Sequence, residues 1–141
     1  MWKSLLHMLF PSHCLGCGLQ DVDEEEMICL NCRLSLPYTS FESIRNNAAE
    51  KLFWGRVPLV FASSTFYYEA QSIMQQIIHN IKYRDEKARA IHMGQIMGGR
   101  LKELLMHQAI DCCIPMPLHP RKEKQRGYNQ ASLLCEGIRL A

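Results

Sequence analysis

The chain has 141 residues, 48% hydrophobic and 21% charged, with a formal net charge of +2 at pH 7. That balance suits a soluble globular protein and excludes a low-complexity or collagen-like chain. A charge so near neutrality gives no global electrostatic case for nucleic acid, although bases outnumber acids in residues 61–141 and not in residues 1–60.

The amino-terminal run Met1–Phe10 has one cation, an apolar stretch interrupted by His7 and no small-residue cleavage site before Pro11. It is not read as an export signal. No run approaches the roughly twenty apolar residues that span a bilayer. The expectation is a cytoplasmic protein without a membrane span, whose residues 1–10 cover the module that follows.

Cys14-Leu15-Gly16-Cys17 and Cys29-Leu30-Asn31-Cys32 make two C-x2-C pairs separated by eleven residues. Two thiolates two residues apart can turn onto one ion, and two such knuckles complete a tetrahedral site. Gly18 suits the tight turn after the first pair. Cys14, Cys17, Cys29 and Cys32 are therefore candidate ligands of a structural zinc, with disulfides or buried free thiols as the alternatives. Disulfides are disfavoured where no export signal is found. His13 is a possible substitute ligand, and the acidic run Asp21–Glu26 reads as a solvated hairpin tip.

Residues 33–56 look irregular and are read as linker and docking segment. From Val57 to Tyr68 the β-branched and aromatic content, broken at Ser63-Ser64, predicts two short strands or one bent one. Ile73, Met74, Ile77, Ile78 and Ile81 then fall on one helical face. A second helix is predicted from about Lys87 to Met106, with a stripe of Ala90, Met93, Met97, Leu101, Leu104 and Leu105. Gly94, Gly98 and Gly99 weaken it by roughly 1 kcal/mol each relative to alanine and leave room for a close neighbour. The methionines Met74, Met93 and Met97 read as core filler rather than ligands.

Asp111-Cys112-Cys113-Ile114 reads as a short buried strand, stopped by two prolines. Cys112, Cys113 and Cys135 lie in apolar contexts and read as small, unreactive core residues. Residues 115–130 then read as a loop, with Arg121, Lys122, Lys124 and Arg126 against Glu123. Gly127, Asn129 and Gln130 close it, and a helix starts near Ala131. A strand, a cationic loop and a helix start together suggest a site for a phosphate-bearing ligand, with a solvated basic loop as the plain alternative.

The string Ile114-Pro115-Met116-Pro117-Leu118-His119-Pro120, followed by Arg126-Gly127-Tyr128-Asn129-Gln130, resembles a signature of the competence-protein ComF family. The resemblance takes in most of the chain. Leu9-Phe10-Pro11, the two cysteine pairs with Gly18, Phe66-Tyr67-Tyr68, Ile77-Ile78-His79 and Ile81-Lys82-Tyr83 come in the family's order. A second set of C-x2-C pairs carried by many members is replaced here by Phe53-Trp54-Gly55-Arg56.

The resemblance implies an α/β fold: a zinc ribbon at residues 1–40, a linker at 41–56, and at 57–141 an incomplete type I phosphoribosyltransferase-like, Rossmann-like domain. It implies phosphoribosyl pyrophosphate with magnesium as ligand, held by a pyrophosphate loop at Pro115, Met116, Pro117, Leu118 and His119. A mobile cationic loop with Arg126, Gly127, Asn129 and Gln130 would assist, and Lys82 would be a further phosphate partner. The implied activity is phosphoribosyl transfer of the kind used in nucleoside metabolism, with no catalytic residue assigned. The paired acids and Thr-Thr-Gly loop that hold the sugar phosphate in that fold do not occur in this sequence, so the chain is expected to be truncated and not active by itself. The alternative is an accessory role in DNA uptake, contacting single-stranded DNA or a helicase-like competence protein.

Overall fold

The computed structural model describes residues 13–19, 22, 27–83, 87–107 and 110–141. Their secondary structure is helical: α1 (Leu30–Leu34), α2 (Ala48–Lys51), α3 (Ile73–Tyr83), α4 (Lys87–His107), α5 (Pro120–Arg126) and α6 (Gln130–Leu140), with a 3-10 turn at Phe41–Ser43. Among the described residues there is no sheet; Tyr38 and Phe66 form an isolated antiparallel bridge. The α/β, Rossmann-like expectation is corrected accordingly. The expected roles of residues 1–10 and of the acidic tip at 21–26 fall outside the described residues, except that Val22 is buried.

The two segments expected as strands fail for different physical reasons. At 57–68 backbone pairing is limited to the single bridge, with the Thr39 N–H donating to the Thr65 carbonyl at 3.1 Å and the Tyr67 N–H to that of Pro37 at 2.8 Å, and carbonyls before it are taken by side chains. Arg45 Nη1 donates to the Val60 carbonyl at 2.8 Å, Asn47 Nδ2 to that of Ala62 at 2.8 Å, and Thr39 Oγ1 to that of Ser64. Val57, Leu59 and Val60 are exposed, so these apolar side chains, two of them β-branched, find no sheet face to fill. At 111–114 the prolines that follow remove donors, and Ile114 stands 82% exposed. Cys112 and Cys113 are exposed as well, not core residues.

Asn47 organises the first of these regions. It is buried, its Oδ1 accepts from the Glu50 N–H at 3.0 Å to cap α2, and its Nδ2 donates to Ile44 and Ala62 carbonyls at 2.9 and 2.8 Å. Losing a cap costs about 1 kcal/mol, and each part-buried carbonyl left without its donor adds to it. Asn47→Ala is expected to lower stability in urea unfolding by about 2 kcal/mol, with Asn47→Asp, which keeps the cap and loses the donors, in between. A loss within experimental error would refute this account of the segment.

The hydrophobic periodicity of α3 is borne out. Met74, Ile77 and Ile81 are buried, with Ile73 and Ile78 packed beside them. They share one core with Cys14, Leu15, Ile28, Cys32 and Leu36 on one side and with Ala90 and Met93 of α4 on the other. Asn80 Nδ2 donates to the Leu15 carbonyl at 2.8 Å, fixing the first cysteine knuckle to α3. Arg100 of α4 pairs with Glu42 and lies 5.0 Å over the Tyr38 ring, tying α4 to the 3-10 turn.

The helix expected from Ala131 begins at Gln130 and is covered by α4 rather than by a sheet. Leu133 and Leu134 pack against the core, whereas Leu140 stays exposed. Glycines set the approach: a Cβ on Gly94 would lie 2.8 Å from the Gly137 Cα, and one on Gly98 would lie 2.9 Å from the Ile138 carbonyl oxygen. No helix among the described residues is long and apolar enough to cross a membrane.

Candidate functional site

The first cysteine pair lies in a tight turn. The Gly18 N–H donates to the Cys14 carbonyl at 3.0 Å, the Leu15 N–H to that of Met27 at 2.9 Å, and Gly18 has φ of 73°. Gly16 is needed for space, because a Cβ there would sit 3.0 Å from both Cys32 Sγ and Ile73 Cδ1. The second pair lies at the start of a helix. Cys29 is the N-cap of α1, its sulfur accepting from the Cys32 N–H at 3.5 Å. Its own N–H donates to Cys14 Sγ at 3.3 Å.

This arrangement brings four sulfurs together, as the spacing predicts. Cys14, Cys17, Cys29 and Cys32 have all their Sγ atoms within 4.8 Å of one another, and Cys17 and Cys29 are 3.8 Å apart. A tetrahedral ion with metal–sulfur bonds of about 2.3 Å requires sulfurs about 3.8 Å apart. The donor set therefore fits one metal ion after closing by roughly 1 Å at its widest pair. His13 is not in the group among the described residues.

The electrostatics are those of a site built for a cation. Burial raises the cost of charging Cys14, but the N–H groups of Cys29, Cys17 and Gly16 outweigh it and bring the thiol to about 6. Cys32 moves the opposite way, pushed up first by burial and then by its cysteine neighbours. Without an ion, a charge on Cys14 opposes one on Cys32. An ion supplies the missing positive charge and lets every sulfur bind as thiolate.

The residues expected to hold phosphate are divided. Residues 115–119 have no regular structure, but Pro120–Arg126 forms α5, so the expected loop is half helix. His119 Nδ1 accepts from the Arg121 N–H at 3.3 Å as N-cap, and Gly127, with φ of 78°, ends the helix. Asn129 caps α6 through Oδ1 and donates from Nδ2 to the Met116 carbonyl at 3.0 Å. Arg126 donates to Gln130 Oε1 at 3.2 Å. Tyr128 is buried, donating its hydroxyl to the Ile81 carbonyl. Much of the signature thus shapes a helix–turn–helix, with Arg121, Lys122 and Lys124 exposed on α5.

Lys82 and Gln130 share a cavity. Both line a half-open apolar cavity of about 520 Å³ between residues 63–68 and α3, α4 and α6. Pro115 to His119 do not line it. Two further sulfurs, whose apolar sequence contexts point only to packing, come close together: Cys113 and Cys135 are 3.2 Å apart. Twenty-two positions separate them, so no local spacing signals the contact. Comparison with protein-family models, with curated proteins and with solved structures returns no match to this chain.

Proposed function

We propose that this chain is a ComF-like protein whose four cysteines hold one structural zinc ion, and whose segment 115–130 engages the phosphates of an anionic ligand. The four-sulfur cluster is the observation that carries the metal. An all-thiolate set with no open position suits a closed structural zinc, because catalytic sites keep a position for water. The cluster shares its core with α3 and α4, so its office is to order the helical body.

The Ile114–Gln130 string supports the ligand, phosphoribosyl pyrophosphate with magnesium being the one its resemblance implies. Arg121, Lys122 and Lys124 are exposed, and each exposed ion pair is worth about 0–1 kcal/mol, so binding is expected to be weak but saturable. Single-stranded DNA is the second reading, favoured by those same cations. The segment 115–130 itself offers no stacking platform, because its one aromatic side chain, Tyr128, is buried.

Calorimetric titration of the full chain separates the two. Phosphoribosyl pyrophosphate with magnesium is expected to be gripped weakly, by its pyrophosphate end alone because the sugar-phosphate elements are missing, and the variant with Arg121, Lys122, Lys124 and Arg126 all replaced by alanine is expected to bind it no longer. Binding of single strands alone, with a salt slope that is shallower in the variant by about 0.7 for each phosphate it no longer neutralises, selects the second reading. Retention of either affinity in the variant removes α5 from the site.

A further inference from the structure

We propose that Cys113 and Cys135 form an oxidisable dithiol, a modification site at which a hydroperoxide installs a disulfide between the 110–119 segment and α6. Their sulfurs are 3.2 Å apart, and a disulfide bond is about 2.05 Å long, so closure asks for roughly 1.1 Å of movement. One partner lies in a segment without regular structure, where such a movement is easily taken up. Cys113 is exposed and Cys135 half-buried, which assigns the two steps. Burial first, and contact with Cys113 second, push the Cys135 thiol up to about 11. Cys135 therefore keeps its proton while Cys113 meets the oxidant.

The chemistry balances with the peroxide as two-electron acceptor. The Cys113 thiolate attacks one peroxide oxygen, the O–O bond breaks, and sulfenic acid and hydroxide form. The Cys135 sulfur then attacks the Cys113 sulfur, the S–O bond breaks, and the Cys135 proton leaves with that oxygen as water. A small-molecule dithiol reverses the bond by exchange. The link would hold residues 110–119 to α6, next to the segment 115–130, but it does not depend on what that segment binds. The cysteine cluster is separate in sequence, and a bound metal would keep its thiolates occupied.

The test uses the full chain purified without chelator, treated with one equivalent of hydrogen peroxide, alkylated in denaturant and digested with trypsin. Peptide 103–121 carries Cys112 and Cys113; peptide 127–139 carries Cys135. The expected product is the two peptides joined, two hydrogens lighter than their sum, in the wild type and in Cys112→Ser, and absent in Cys113→Ser and after dithiothreitol. Amide exchange in 110–119 should slow in the oxidised protein. A link that survives Cys113→Ser, oxidation of Cys113 to sulfinic acid without a link, or full alkylation of both thiols after peroxide would each overturn the assignment.

Discussion

Replacing Cys29 with serine is expected to abolish metal binding and unfold the amino-terminal part of the described chain. The substitution is informative because Cys29 has two roles. Its sulfur caps α1, and it is one of the four candidate ligands. Serine is a good N-cap, so the helix start is preserved while the metal ligand is removed. Structural zinc in small modules has apparent binding energies of about 10–16 kcal/mol, more than most domains have in total stability. Leu15 and Ile28 are fully buried beside the cluster and share its core with Ile77, so loss of the ion should carry into α3. Elemental analysis should give one zinc per wild-type chain and close to none in Cys29→Ser. A chelator should lower the wild-type melting temperature and leave the variant unchanged. Metal-free wild-type protein whose melting ignores chelator would falsify the zinc assignment.

The metal site was legible because its signal is local. Two residues between sulfurs fix a knuckle whatever surrounds it, and the eleven-residue spacer needs only to return the chain. The helices α3, α4 and α6 were legible for a similar reason, since a stripe at helical spacing reports a buried face directly. The strands were not. The apolar content of 57–68 and 111–114 matches strand composition, but strand propensity expresses packing on a sheet surface, and here that surface is missing. What takes its place is a set of side-chain donors, Thr39, Arg45 and Asn47, that no periodicity marks. Helix α5 had a readable signal that a loop reading of the prolines hides. Pro120 in the first turn and Gly127 just past the end follow the usual asymmetry of helix termini. The Cys113–Cys135 contact had none, because it arises from the return of the chain through α5.

Alanine in place of the glycines of α4 and α6 is expected to change stability with opposite signs at neighbouring positions. Gly94 and Gly137 are buried where the helices cross. A Cβ on Gly94 would meet the Leu134 carbonyl oxygen and lie 2.8 Å from the Gly137 Cα; one on Gly137 would meet the Ile91 carbonyl oxygen and lie 2.7 Å from the Gly94 Cα. These obstacles are backbone atoms, which cannot swing aside as a side-chain end can, so the helices must separate. Overpacking of this kind costs about 1–3 kcal/mol per site. Gly99 is on the same helix, yet a Cβ there meets nothing within 4 Å. Alanine at 99 restores helix propensity and reduces the freedom of the unfolded chain, for a gain of about 0.5–1 kcal/mol. Gly98 falls between, because a Cβ there lies 2.6 Å from the Ala141 Cβ as well as close to the Ile138 backbone. The expected order of stability is Gly99→Ala above wild type, then Gly98→Ala, then Gly94→Ala and Gly137→Ala. Because Gly94 and Gly137 face each other, their double variant should lose less than the sum of the two singles, the first separation having made room for the second methyl. Chemical unfolding of the five variants measures this directly. Equal losses at 94 and 99 would mean that helix propensity, not the crossing, sets their effect, and the packing of α6 on α4 would have to be redrawn.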